Sequence, residues 1–226
     1  MKKSLFLFCA TLIGQCLAAQ SCLPNGIYFF QQADVDAFPA NYPGCKVIQG
    51  SVRLGSDYVF NLDSLYNITT IEDSLIIYNC NGLSNIKGLS SLSAIGGSLE
   101  LTGFPAVDLK GLDSLKTIGQ SLFIGNLWKI TSLEGLNHLQ SIGDVLEVTY
   151  SAKLESLGGL DSLASIGGRI QLYGNPLLQN LQPLSHLEHI QGDLEIGQCS
   201  ALTDLSGLES LKTITGLLRI DGNLNL

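Results

Sequence analysis

The side chains able to do chemistry are three histidines, six cysteines and carboxylates that recur along the chain. Glu100, Glu147 and Glu195 follow one another at nearly even intervals, and His186 and His189 bracket Glu188. Paired carboxylates could hold a cation or move a proton, and two close histidines could ligate zinc. The surroundings argue against each. The sequence contains no Gly-x-Ser-x-Gly elbow, no phosphate-binding loop, no His-Glu-x-x-His and no Cys-x-x-Cys. The histidines read as solvated turn residues, so no metal or other cofactor is expected and the chain does not read as an enzyme.

Charge narrows the partners. Twelve Lys and Arg face twenty Asp and Glu, a formal net charge of −8, and Arg53, Arg169 and Arg219 are the only arginines. Affinity for phosphates comes from clustered cations, so nucleic acid and anionic membrane surfaces are disfavoured.

The elements that position these residues come from a repeat. Isoleucine recurs at Ile48, Ile71, Ile95, Ile118, Ile142, Ile166, Ile190 and Ile214, a nearly constant step in which the units beginning at Ile48 and Ile95 are shorter by a single position. With each isoleucine as position zero, apolar residues follow at offsets 4, 6, 12, 15, 18 and 21, as in Ile170, Leu172, Leu178, Leu181, Leu184 and Leu187. In the two shorter units the reading places Phe60-Asn61-Leu62 and Val107-Asp108-Leu109 opposite Leu83-Ser84-Asn85-Ile86, making Phe60 the one aromatic in the apolar columns. Offsets 4 and 6 alternate with polar neighbours, the period of a strand with one buried face. The later steps of three read as short strands or turns that bend the chain around a core. No unit can bury its own aliphatic side chains, whereas each closes the core of the next when stacked. Gly96-Gly97, Gly167-Gly168 and the single glycines Gly119, Gly143, Gly192 and Gly216 precede the strands, where conformational freedom is expected to turn a corner. With coils about 4.8 Å apart, the rod is roughly 35 Å long.

This pattern resembles a known family. The run Ile-Gly-Gly-x-Leu-x-Ile, then Asn, then Leu-x-x-Leu-x-Gly-Leu-x-x-Leu, seen in Ile166 to Leu187 and in Ile118 to Leu139, resembles the receptor L-domain repeat, a cousin of leucine-rich repeats. It extends over residues 45–226, and Phe38-Pro39-Ala40-Asn41-Tyr42-Pro43-Gly44-Cys45 is similar to the lead-in of such domains in secreted bacterial proteins of the Bacteroidetes type. The resemblance implies an all-β fold, a right-handed parallel β-helix (β-solenoid) of about seven and a half coils, one coil to each repeat. It also implies a binding role, as in animal growth-factor receptors.

The ends read differently from the repeats. Residues 1–19 carry Lys2 and Lys3, an apolar run from Leu5 to Leu17 and small residues before Gln20, the pattern of a secretory signal cleaved after Ala19. The run is too short to span a bilayer and no later stretch is long enough, so a secreted, cell-surface or periplasmic location is expected. Residues 20–47 form an N-terminal cap with a short helix near Gln31 to Phe38 and an apolar face of Phe29, Phe30, Val35 and Phe38, and residues 48–226 form the solenoid. Cys22 and Cys45 flank the cap and suit a disulfide in an exported protein. Cys80 and Cys199, five coils apart at offset 9, cannot pair with each other and are expected to fill corners where other units have Asn175 and Asn223, the alternative being an intermolecular bond. The sequence stops inside its eighth unit without a sorting tail. The expectation is an apolar edge of Ile214, Leu218, Ile220 and Leu226, either self-associating or marking a truncated reading frame.

The outward positions of the longer strands form the expected ligand surface. Offset 5 holds Ile76, Glu100, Phe123, Glu147, Gln171 and Glu195, offset 7 holds Tyr78 and Tyr173, and Tyr150 stands at offset 8. Exposed rings among carboxylates suit an acid-rimmed patch for an extracellular protein or glycan. The competing readings are a passive adhesive solenoid and a carbohydrate-active β-helix enzyme. In the latter, carboxylates on adjacent coils would bind Ca²⁺, but Glu100, Glu147 and Glu195 alternate coils and stand about 9.6 Å apart, too far to share an ion.

Overall fold

The computed structural model describes residues 20–226, and the signal segment inferred for residues 1–19 lies outside the described residues. Two parallel nine-stranded sheets run the length of the described chain, a β-solenoid of about eight turns. The long sheet contains Ile27–Phe29, Val52–Leu54, Leu75–Tyr78, Leu99–Thr102, Leu122–Gly125, Leu146–Thr149, Ile170–Tyr173, Leu194–Gly197 and Leu218–Asp221. The short sheet is built on the repeating isoleucines, in two-residue strands such as Thr70–Ile71 and Ser141–Ile142. The steps of three become tight turns, three of them 3₁₀ helices at Asp63–Leu65, Lys87–Leu89 and Gln182–Leu184.

The aliphatic columns form one continuous core from Phe29 to Leu202. Two members of the expected columns are misplaced, however. Phe60 and Val107 are exposed, while Val59 and Ala106 point inward. The shorter units therefore lack their residue before the inward position rather than after it. Val59 and Ala106 fit the same aliphatic layer that Leu83 and Ile130 fill in full-length units.

The glycines before the strands do a different job from the one expected. Gly96, Gly119, Gly143 and Gly167 do not occupy the left-handed region. A Cβ at each would strike the backbone carbonyl of the preceding coil, at Glu72, Gly96, Gly119 and Gly143 respectively. Close stacking excludes the side chain. Positive φ instead occurs at the end of every long strand from Leu75 onward, at Asn79, Gly103, Asn126, Tyr150, Gly174, Gln198 and Gly222.

The corner at offset 9 explains the free cysteines. Cys80, Cys199 and Asn175 are all fully buried, and both thiols are unpaired. Asn175 donates from Nδ2 to the Val148 carbonyl at 2.8 Å and accepts from the Ser151 N–H at 3.0 Å. The Cys199 Sγ faces the equivalent carbonyl, Leu172 O, at 3.9 Å, a weak donor in the amide's place. Burial pushes both thiols above the usual cysteine range.

Residues 20–29 extend both sheets by one rung, since Cys22 pairs with Ile48 and Phe29 with Leu54. Two short helices, α1 (Gln32–Asp36) and α2 (Phe38–Asn41), follow. They bury Val35 and Phe38, and the Phe38 ring stands 6.1 Å from that of Phe29. Phe30, expected on this apolar face, is instead 63% exposed. Strand alternation turns it outward beside Tyr28. The Cys22–Cys45 disulfide joins the first rung to the next. At the opposite end Ile214 is half-buried, whereas Leu218, Ile220 and Leu226 are exposed.

Candidate functional site

Parallel in-register pairing places the offset-5 residues in one row. Tyr28 pairs with Arg53, Arg53 with Ile76, Ile76 with Glu100, and Glu100 with Phe123. The row continues through Glu147, Gln171, Glu195 and Arg219. All the offset-5 and offset-7 candidates therefore lie on the outer face of the long sheet. They are half-buried rather than fully exposed, because side chains on neighbouring rungs cover one another's flanks. Tyr150, just past its strand, is 60% exposed.

The tyrosines are seated by glycines on adjacent rungs. The Tyr78 ring occupies the space a side chain at Gly55 would need, Tyr173 lies over Gly197, and Tyr150 over Gly174. This reciprocity was legible in the sequence, where glycine and tyrosine occupy the same column in neighbouring units. Tyr150 and Tyr173 meet edge to face with centroids 5.9 Å apart. Tyr150 does so from the left-handed region, at φ 52°. For a bulky residue this costs roughly 1–2 kcal/mol. Asn, Gln and Gly fill the same position in the other coils from Leu75 onward, so Tyr150 is the one aromatic ring set there against its backbone preference.

The carboxylates are not equivalent. Glu147 pairs with Arg169 at 3.2 Å. Glu195 accepts from Gln171 at 3.0 Å and lies 3.6 Å from the Arg219 guanidinium. Arg219 also binds Asp221 at 2.9 Å, and these two carboxylates raise its pKa, Asp221 contributing most. Glu100 has no cationic partner among the described residues and only a long contact from the Thr102 hydroxyl, at 3.4 Å. Beside it is a depression of about 410 Å³ lined by Tyr28, Arg53, Ile76, Tyr78 and Glu100. A second, of about 450 Å³, shares Tyr28 and Arg53 and extends to Asn25 and Asp73.

Tyr28 is the residue that column counting missed. It precedes the first repeat, and its rung, paired Ile27 to Val52, lies farther from the next along the chain than any later rung does. The remaining signal was the alternation in Ile27-Tyr28-Phe29. Its hydroxyl donates to the Gly55 carbonyl at 3.2 Å and stands 3.2 Å from the Tyr78 hydroxyl. The Tyr78 hydrogen bond, followed by burial, pushes the Tyr28 phenol from 10.0 up to about 12. The fold thus favours the neutral phenol. Its contribution to stability is complete below the unfolded pKa of 10.0 and is lost as pH rises to about 12. Ultraviolet titration should show a phenol ionising near pH 12, and Tyr28→Phe should abolish that step. A wild-type titration finished by pH 11, about one unit short of that value, would contradict the hydroxyl pair.

The histidines do not form a site. His138 Nδ1 meets the Asp113 carbonyl, and His189 meets the Thr213 hydroxyl, at 2.7 and 2.8 Å. His189 lies 3.8 Å from Glu188, whose carboxylate is held below its ordinary pKa by Lys212. Among the described residues, no group of three His, Cys, Asp or Glu side chains stands close enough to hold a metal ion. No described helix is long and apolar enough to cross a membrane.

A stacked parallel solenoid with one side-chain row on its outer face is the architecture the repeat predicted. Residues 44–107 match the family model of the receptor L domain. The match covers the first rungs after the disulfide and includes Arg53, Ile76, Tyr78 and Glu100. Receptor L domains are binding-type, non-enzymatic domains. No curated protein matches the chain.

Proposed function

We propose that this protein is an exported binding module that presents the outer face of its long sheet to an extracellular protein or glycan. The observation carrying this reading is the continuous row from Tyr28 to Arg219, which brings Ile76, Phe123 and the flanking tyrosines onto one ligand-sized surface. The receptor L-domain match supports binding over catalysis. The disulfide suits an oxidising compartment. Tyr150, held in a costly backbone conformation beside Tyr173, supports a role for the rings beyond packing.

The test is a binding screen of the purified protein against neutral and acidic oligosaccharides and a panel of purified extracellular proteins. For a ligand of the central face, the double variant Phe123→Ala, Tyr173→Ala should weaken binding about tenfold or more, each lost aromatic contact contributing about 0.5–1.5 kcal/mol beyond buried area. Unchanged affinity for every ligand found, in this variant and in Arg53→Gln, would remove the sheet face from the reading.

A further inference from the structure

We propose that the N-terminal end of the long sheet's outer face is a binding site for an uncharged glycan. Tyr28, Phe30 and Tyr78 form the ring platform, and Arg53 and Glu100 hold the sugar hydroxyls. This rests on reading the outer face as the ligand surface and narrows it to one end and one chemistry.

The aromatic residues carry the first part of the argument. Tyr28 and Phe30 project from the same side of the first rung with centroids 4.0 Å apart. Phe30 is 63% exposed, although Phe29, its neighbour, is fully buried in the core. Tyr58 and Phe60 are exposed beside the same segment, where the Gln32 N–H donates to the Tyr58 carbonyl and the Gln32 side chain accepts from the Phe60 N–H. Apart from Phe29, Phe38 and Phe104 the core is built of aliphatic side chains and buried cysteines, and none of these four rings packs in it. An exposed aromatic cluster on an otherwise polar surface marks a contact site, and flat rings suit the C–H face of a pyranose.

The charged pair carries the second part. Of the three arginines, Arg169 and Arg219 are satisfied by carboxylates. Arg53 has none within ion-pair distance among the described residues. Arg53 and Glu100 sit two rungs apart with Ile76 between them. Their rungs are about 9.6 Å apart, and no ion pair joins the two among the described residues. A five-donor fork and a two-oxygen acceptor therefore face one depression across an apolar floor. Vicinal hydroxyls donate and accept, so they can engage both groups. An anionic ligand would face Glu100 and Asp73 on a chain of net charge −8, and a cationic ligand would face Arg53. In the depression that Arg53 and Glu100 share, the charges are one of each sign, so a neutral polyhydroxylated ligand satisfies both. The two depressions, about 410 and 450 Å³, each fall in the range of small-ligand sites.

Calorimetric titration with neutral gluco-, xylo-, manno- and galacto-hexaoses, and with hexagalacturonate, tests the proposal. At least one neutral hexaose should bind, and more tightly than hexagalacturonate. Arg53→Gln, Glu100→Ala and Phe30→Ala should each weaken it about tenfold or more, as expected for a lost hydrogen bond to a charged group or a lost ring contact. Melting temperatures should stay unchanged, since none of the three side chains lies in the core, and Lys153→Ala, at an exposed turn outside the long sheet, should leave the affinity unaltered. The proposal is overturned if no neutral hexaose binds, if hexagalacturonate binds more tightly, or if binding survives all three substitutions. Sensitivity to Phe123→Ala without sensitivity to Arg53→Gln would sink this site while leaving the outer-face reading intact. Insensitivity to both would remove the two together.

Discussion

Gly135→Val should lower the melting temperature by roughly 10 °C, equivalent to about 4 kcal/mol of lost stability. Gly135 has φ +114°, a conformation closed to a β-branched residue, and its N–H donates to Asn137 Oδ1 at 2.9 Å. The first added carbon would strike the Leu109 carbonyl on the preceding coil. Relief would require the two coils to separate, and the flanking Leu133 and Leu136, both fully buried, would lose their neighbours. Stability in such a stack is the sum of contacts between adjacent coils, so a wedge at one junction weakens both halves. Gly158 provides the control. It is not in the left-handed region, and a Cβ there would meet only the Ser156 hydroxyl, at 3.2 Å. Gly158→Ala is expected to change stability by less than about 0.5 kcal/mol. Urea unfolding of both variants reads the difference directly, and equal midpoints would show that the coils are not as closely stacked as the carbonyl contact requires.

Removing the Cys22–Cys45 disulfide has the second largest expected effect, about 3 kcal/mol for a bridge of sequence separation 23. The loss should be local. Gln20–Cys22 is an edge strand paired only with Cys45–Ile48, and Ile27–Phe29 is the matching edge of the long sheet. Cys22→Ala with Cys45→Ala, or reductant on the wild type, should fray this rung before the rest melts, so amide exchange should rise first over residues 20–30. The proposed glycan site should weaken with it, because Tyr28 and Phe30 stand on that rung. Cys80 and Cys199 should stay inert to a thiol reagent in the native protein, being buried and shifted toward the neutral thiol. Uniform exchange along the chain after reduction would contradict a local role for the bridge.

Much of the fold was legible because one aliphatic side chain recurs at a nearly constant interval, and an interval survives any uncertainty about individual elements. Where the interval changed, legibility failed. In the first shorter unit Phe60 already stood out as the one aromatic in the columns, but in the second nothing in the residue types distinguished Ala106 from Val107 as the inward member. Packing against the coil above and below makes that choice. Glycines were visible as a column, but whether a column serves backbone conformation or close approach depends on the distance to a neighbouring carbonyl. Gly135 needs both and Gly143 only the second.

The candidate site divides in the same way. The outward column from Ile76 to Glu195 followed from strand alternation alone, because side-chain direction is a local property of the backbone. The pairing of Glu147 with Arg169 and the absence, among the described residues, of an ion-pair partner for Arg53 or Glu100 depend on side chains from different coils. So does the place of Tyr28, whose rung lies outside the period. By itself the sequence determined a one-dimensional aliphatic core and the face opposite it. The tertiary structure decided which charges on that face are neutralised and which have no ion-pair partner among the described residues, because ion pairing falls off over a few ångströms and the repeat leaves it unspecified.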